Sequence, residues 1–285
     1  MKILKYSLRD MIKGFNRRVN FNTILFSLKE YHQIKLENGL DMLLSSKDKG
    51  LSFQLFLNGT REENVVEEFT SLLSKDDTVL DIGANLGYYV LIEHEVKNII
   101  AIEPVLSSFI LMNKNVQLNN MQNVHSLNLA IGNKDGEVDF HIYKAKNLSS
   151  VKNISEYGDS KVQRTPIITG KTLLKRLDRK KLFPNILRMD VEGYELEIIK
   201  GFGNKLNTFN MLCFEVHSHL IGEQKTRLLL DMILENGFEK FGFLEDNKRD
   251  KDLKKMKWLK YDELYNMDFD KYCWWHLFAL KGVKK

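Results

Sequence analysis

The run Val79-Leu80-Asp81-Ile82-Gly83-Ala84-Asn85-Leu86-Gly87 constrains what this 285-residue chain can fold into more than any other segment. A short apolar strand that runs into glycines must turn sharply toward a helix, and the absent side chains let the backbone approach a ligand closely. A second apolar run ends at Ile102-Glu103-Pro104, 22 positions beyond Asp81. An acid there, at the carboxyl end of the neighbouring strand, can accept both hydroxyl hydrogens of a ribose. Taken singly, Asp81 could cap its loop and Glu103 could be an exposed strand end. Together, at this spacing, they predict a nucleotide cleft.

The loop chemistry narrows the nucleotide. A dinucleotide fold prefers G-x-G-x-x-G, because pyrophosphate needs backbone amides at a helix start. Here the pattern is D-x-G-x-x-x-G, with Asp81 before the first glycine. That acid would repel a phosphate and welcome an ammonium group. A zwitterionic, phosphate-free nucleoside such as S-adenosylmethionine is therefore favoured over NAD. Asn128-Leu129-Ala130-Ile131-Gly132 ends the next expected strand, where Ala130 would meet an adenine edge; an ordinary strand-to-turn junction reads the same way.

The surrounding pattern alternates strand and helix. Thr78–Ile82, Asn98–Ile102 and Val124–Leu129 read as strands, with helices at Tyr88–Glu95 and Ser107–Asn119 between them. That order implies parallel strands joined by right-handed crossovers. Further strands are expected at Asn185–Asp190, Met211–His217, Phe238–Leu244 and His276–Lys281, with helices at Thr172–Asp178, Glu195–Lys200 and Gln224–Glu235. Gly136–Tyr143 reads as an extra strand and Lys144–Arg164 as a long polar loop, a kind of segment that is more often functional than idle. Upstream, Glu62–Leu73 reads as a helix. Gln33–Leu36, Met42–Leu44 and Phe53–Leu57 read as short β runs, the first two joined by a hairpin signal at Asn38-Gly39. Residues 1–60 are expected to form an appendage, a basic helical arm plus the hairpin, and 61–285 the main domain.

Composition excludes several classes. Hydrophobic residues make up 43% and charged residues 28%, so a packed core is expected, and no apolar run approaches a membrane span. The first 20 residues lack the compact apolar run and cleavage site of a secretory signal. Cys213 and Cys273 are the only cysteines, too few and too far apart for a disulfide framework, which favours a reducing cytoplasm. The net charge of +5 is spread along the chain apart from Asn247–Lys260, without the concentrated stripe of a nucleic-acid binder. The basic arm would pack on the domain or touch a membrane surface. Oligomeric state is not legible.

These residues resemble the FkbM family of methyltransferases. The matching pieces are Asp81–Gly87, Ala101-Ile102-Glu103-Pro104, Leu129-Ala130-Ile131-Gly132-Asn133, Asn147-Leu148-Ser149-Ser150 and Met189-Asp190-Val191-Glu192-Gly193-Tyr194-Glu195. The resemblance spans roughly Glu62 to Phe243, and the Asp-Val-Glu-Gly-x-Glu segment is its most specific part. It implies a Rossmann-like class I methyltransferase fold, a mostly parallel seven-stranded sheet with helices on both faces. It also implies methyl transfer to a hydroxyl oxygen, commonly of a sugar or secondary metabolite. The expected cofactor contacts are Asp81, Gly83, Ala84, Asn85, Gly87, Glu103, Pro104 and Ala130. Arg188 stands where the family usually has a basic residue two before the aspartate.

Acceptor chemistry needs a group that removes the hydroxyl proton. Asp190, an acid at the end of an apolar strand, is the first candidate, with capping of the following turn as its structural alternative. His217 is the best base by residue type. Glu215, His217 and His219 alternate and would share a face on an extended strand, so Asp190, Glu215 and His217 could hold a divalent metal, a variant that is not favoured. Ser149, Ser150 and Glu192 are candidate acceptor contacts, although Glu192 and Glu195 suit a helix N-terminus better than chemistry. Tyr272, Trp274 and Trp275 could stack on a sugar ring or pack in the core. The competing readings are an RNA methyltransferase and a non-catalytic cofactor-binding regulator. Intact Asp81, Glu103 and Asp190 argue against the second.

Overall fold

The computed structural model describes residues 22–143, 149–151, 158–245, 255–272 and 274–282. After a short helical stretch at 22–27 come β1 (Tyr31–Lys35) and β2 (Asp41–Ser45), an antiparallel hairpin with Gly39 at φ +82° in its turn. The run around Phe53 is a helix, α1 (Leu51–Asn58), and not a strand. Four apolar residues among the five of Phe53–Leu57 do not separate the two periods. The local chemistry decides: Asp48 accepts hydrogen bonds from the Gly50 and Ser52 N–H groups at 2.9 and 2.8 Å, and Gly59 closes the helix at φ +75°. α2 (Glu63–Ser71) follows, burying Val65 and Phe69 four positions apart.

The alternating unit then begins with β3 (Thr78–Ile82), α3 (Tyr88–Ile92), β4 (Asn98–Ile102), α4 (Leu106–Leu118) and β5 (Val124–Leu127). Next come β6 (Ala130–Gly132), β7 (Gly136–Ile142), β8 (Lys161–Thr169), α5 (Gly170–Asp178), β9 (Ile186–Met189), α6 (Glu195–Phe202) and β10 (Met211–Val216). The chain ends through α7 (Ser218–Ile221), α8 (Glu223–Glu235), β11 (Phe238–Leu244), β12 (Lys257–Leu259), α9 (Tyr261–Tyr265) and β13 (Trp275–Lys281). The main sheet has the order β12-β11-β13-β10-β9-β3-β4-β5. Strands β5, β4, β3, β9 and β10 are parallel, whereas β13 is antiparallel to both β10 and β11. This is the Rossmann-like methyltransferase arrangement with eight strands, one more than expected, because β12 adds to the edge beyond β11.

β6, β8 and β7 form a separate three-stranded sheet. Lys161–Arg164, expected in the polar loop, instead starts β8, whose outer half is largely exposed and so carries little apolar signal. Alternate residues of the central strands feed two cores. Leu80, Ile82, Leu187 and Met189 pack with α6 and α8, while Val79, Ile99 and Ile186 pack with the hairpin and α1. Leu36, Met42 and Leu44 thus share a core with β3 and β4. Asn115 of α4 and Asn119 just after it bind the hairpin's backbone: their side-chain oxygens accept from the Leu43 and Asp41 N–H groups at 2.6 and 2.9 Å. Among the described residues, no helix is long and apolar enough to cross a membrane. The basic arm, Asn147-Leu148, Cys273 and most of the lysine-rich run Asn247–Lys260 lie outside the described residues.

Candidate active site

The parallel strands all point their carboxyl ends to one side, and the loops there line an open cleft. β3 delivers the first wall. Gly83, at φ +86°, turns the chain so tightly that a Cβ would stand 1.9 Å from the Asp190 carbonyl oxygen. Glycine is required by β9 as much as by any ligand. Asn85 is held at φ +52°, an uncommon conformation for a residue with a side chain. Gly87, at φ +90°, opens α3 against Met112, which a Cβ would meet at 3.0 Å.

β4 delivers Glu103. Its carboxylate accepts hydrogen bonds from the Asn85 N–H at 2.8 Å and the Val105 N–H at 2.7 Å, which ties the glycine loop to the next strand end. Only 5% of Glu103 is exposed. Burial pushes its carboxyl up to about 7 against the opposing pull of those two N–H groups. The Asn85 side-chain oxygen is buried with no hydrogen-bond partner among the described residues. Leu129, Ala130 and Ile131 supply an apolar side to the cleft.

Of the expected cofactor contacts, Gly83, Asn85, Glu103, Pro104 and Ala130 line this cleft, and the acceptor candidates Ser149, Asp190 and Glu192 line it too. Asp81, Ala84 and Gly87 are absent from the wall. Asp81 is fully buried, and its Oδ1 accepts from the Arg188 guanidinium at 2.8 Å. The reason is register: Asp81 pairs with Arg188 across β3 and β9, so the strand that carries the acid also carries its partner. Arg188 in turn lies 3.5 Å over the Tyr89 ring and 3.8 Å from Asp190 Oδ2. Ser150 is likewise buried away from the wall, and its hydroxyl donates to the Glu192 carbonyl at 3.0 Å.

The acceptor end departs further from expectation. β10 stops at Val216, so Glu215, His217 and His219 do not form one strand face, although His217 Nε2 stays 3.9 Å from Glu215 Oε1 and its ring 6.1 Å from that of His219. His217 begins α7, His219 is exposed against Trp274, and Glu215 turns toward Arg61 at 3.8 Å. His217 is buried with Nδ1 2.7 Å from Glu195 Oε1 and Nε2 3.3 Å from Glu192 Oε2. Burial disfavours its charge, but Glu192, Glu195 and Glu215 outweigh burial and raise its pKa well above the ordinary value. An imidazolium donating from both nitrogens is a poor free base and has no lone pair for a metal. Metal-ligand atoms therefore do not gather as Asp190–Glu215–His217. The close groups among the described residues are Asp190–Glu192–His217 and Glu62–Glu215–His276. Against the second lie Arg61, paired with Glu62, and the Tyr89 hydroxyl, which donates to Glu62 at 2.8 Å. Sequence reasoning missed Arg61, Glu62 and Tyr89: a charged pair ahead of a helix and a tyrosine inside one carry no spacing signal. Of the aromatics near the end, Trp275 is fully buried and Tyr272 packs on Phe243, leaving Trp274 half exposed.

The model of the methyltransferase FkbM domain matches residues 81–244. A hexuronic acid methyltransferase, AglP, of Haloferax volcanii is 26% identical over 185 residues, covering 65% of this chain and 74% of that protein. Methyltransferase 1 of Beauveria bassiana is 24% identical over 153 residues, 46% of this chain and 60% of its own. Among solved structures, a SAM-dependent methyltransferase from Agrobacterium tumefaciens superposes with a TM-score of 0.48 at 9% identity, over 90% of this chain and 71% of that one.

Proposed function

The chain belongs to the FkbM methyltransferase family, and we propose that it moves a methyl group from S-adenosylmethionine to a hydroxyl oxygen of a sugar or glycoconjugate. The observation that carries this reading is a single cleft with Glu103 and Asn85 among its walls on one side and Asp190 and Glu192 on another. The residues fit the cofactor: Glu103 keeps acceptor capacity for two ribose hydroxyls, the Asn85 oxygen awaits a donor, and Leu129, Ala130 and Ile131 suit an adenine face.

When bound, S-adenosylmethionine supplies an electrophilic methyl on a sulfonium. The chain's own residues do the rest. Glu103 and Asn85 fix the nucleoside, and the buried walls exclude water. Asp190, steadied by Arg188, faces the cleft and orients the acceptor hydroxyl; Ser149 offers a second polar contact beside it. Asp81 acts from behind, by holding Arg188. The hexuronic acid methyltransferase among the relatives supports a sugar acceptor.

Calorimetric titration with S-adenosylhomocysteine and with NAD tests the cofactor, and radiolabelled methyl transfer to hexuronic acids and their glycosides tests the acceptor. Binding of the first ligand alone, with label on a sugar hydroxyl, is the expected result. NAD binding would sink the cofactor reading, and label transferred to RNA but to no sugar would sink the acceptor reading.

A further inference from the structure

Resting on that methyl-transfer reading, we propose that Glu192 takes the acceptor's proton, and that His217 and Glu195 are positioning residues built to hold it ready. Glu192 lines the cleft with only 5% of its surface exposed. Its backbone sits at φ +51° and is followed by Gly193 at φ +86°, two consecutive left-handed residues. A side chain in that conformation is strained and persists only where the surroundings fix it. Three contacts do so. The Ser150 hydroxyl pins the Glu192 carbonyl. Glu195 Oε1 accepts from the Gly193 N–H at 3.0 Å and also meets His217 Nδ1 at 2.7 Å. His217 Nε2 then reaches Glu192 Oε2 at 3.3 Å. Turn, imidazole and carboxylate are thus one unit that runs from the buried Glu195 to the cleft.

The charges suit a proton acceptor. Glu192 faces His217, Asp190, Arg61 and Glu195, and His217 faces Glu192, Glu195 and Glu215. Burial raises the Glu192 carboxyl to about 7, with the His217 charge holding it from going higher. A base with that affinity accepts a proton near neutral pH and releases it again. Asp190, the first choice from sequence, lies beside Arg188, which suits it to orienting the acceptor. In the step, the acceptor O–H bond breaks and its proton passes to Glu192 as the O–CH₃ bond forms. The C–S bond breaks with its electron pair returning to sulfur, and Glu192 later gives the proton to water.

The test compares wild type with Glu192→Gln, Glu192→Asp and His217→Gln, reading S-adenosylhomocysteine affinity, kcat across pH and the ¹³C titration of the Glu192 carboxyl. Glu192→Gln should lose on the order of 100-fold or more in kcat and keep its affinity within about twofold, which also shows that it is folded. Glu192→Asp should recover part of the rate. Wild-type Glu192 should titrate near neutrality, and His217→Gln should move both that titration and the acid limb of kcat by about one pH unit or more toward alkaline. A Glu192→Gln enzyme with near wild-type kcat, or a Glu192 carboxyl that titrates as an ordinary glutamate and ignores His217→Gln, would overturn the proposal. Wild-type protein that fails to bind S-adenosylhomocysteine would instead overturn the reading on which it rests.

Discussion

Replacing Glu103 by Gln removes a charge from a carboxylate that already serves two backbone donors. The amide oxygen can accept from the Asn85 or the Val105 N–H but not both, and its NH₂ is left facing the other. The ligand would lose up to two charge-assisted hydrogen bonds, each worth about 1.5–3 kcal/mol. Against this stands the penalty of ionising a buried carboxyl held at about 7, a change from 4.5 that corresponds to roughly 3 kcal/mol in the unliganded protein. At pH 7 and above that penalty is largely already met, so the loss should be at least about 1.5 kcal/mol, the value of one such bond, or on the order of tenfold or more in affinity. The sign with pH follows from the same numbers. The ionised form accepts the ribose hydroxyls, so wild-type affinity for S-adenosylhomocysteine should hold above pH 7 and fall as pH drops below it, by at most about tenfold per unit. Binding near pH 6.5 should therefore release a proton, seen as a buffer-dependent calorimetric enthalpy, and Glu103→Gln should abolish both effects. A mutant that binds within threefold of wild type with the same proton release would refute the assignment of Glu103 to the ribose.

Three other outcomes follow from the geometry. Gly83→Ala forces a Cβ against the Asp190 carbonyl at a positive φ, so urea denaturation should show a loss of about 2 kcal/mol or more; an unchanged midpoint would mean the β3–β9 approach is looser than described. Asp81→Ala strands the Arg188 guanidinium in the core and should cost about 3–5 kcal/mol, whereas Asp81→Ala with Arg188→Met should recover much of it; equal losses in single and double mutants would deny the pairing. Chelation with EDTA should leave transfer rates unchanged, because both His217 nitrogens are engaged by carboxylates; a loss restored by magnesium or manganese would show that His217 is a neutral ligand.

The glycine loop, the acid at the next strand end and the alternation of periods made the parallel core legible, since each depends on neighbours in sequence. Gly83, Asn85, Glu103, Pro104 and Ala130 all reach the cleft for that reason. What the sequence left out of view depended on pairing across the sheet. The pairing of Asp81 with Arg188 is invisible locally, because the two are 107 positions apart and adjacent only through the β3–β9 register. Likewise nothing local shows that β10 ends one residue before His217 and that its ring lies between Glu192 and Glu195. The helix at Leu51–Asn58 was misread because its deciding cap, Asp48, lies outside the apolar run.

The same physics explains why two carboxylates of one cleft can do different work. Glu103 and Glu192 are both buried, and both are raised to about 7 chiefly by desolvation. They differ in what braces them. Glu103 is fixed by two backbone N–H groups, which carry no exchangeable charge, so its natural role is to accept hydrogen bonds and keep them. Glu192 is braced by an imidazolium whose own charge depends on Glu195, on a turn strained into left-handed backbone. A carboxylate held by a charge can trade a proton at little cost in geometry, whereas protonating one held by two N–H groups weakens both of those hydrogen bonds. The division between holding the nucleoside and taking the proton thus follows from the braces, although the two residues are of the same type.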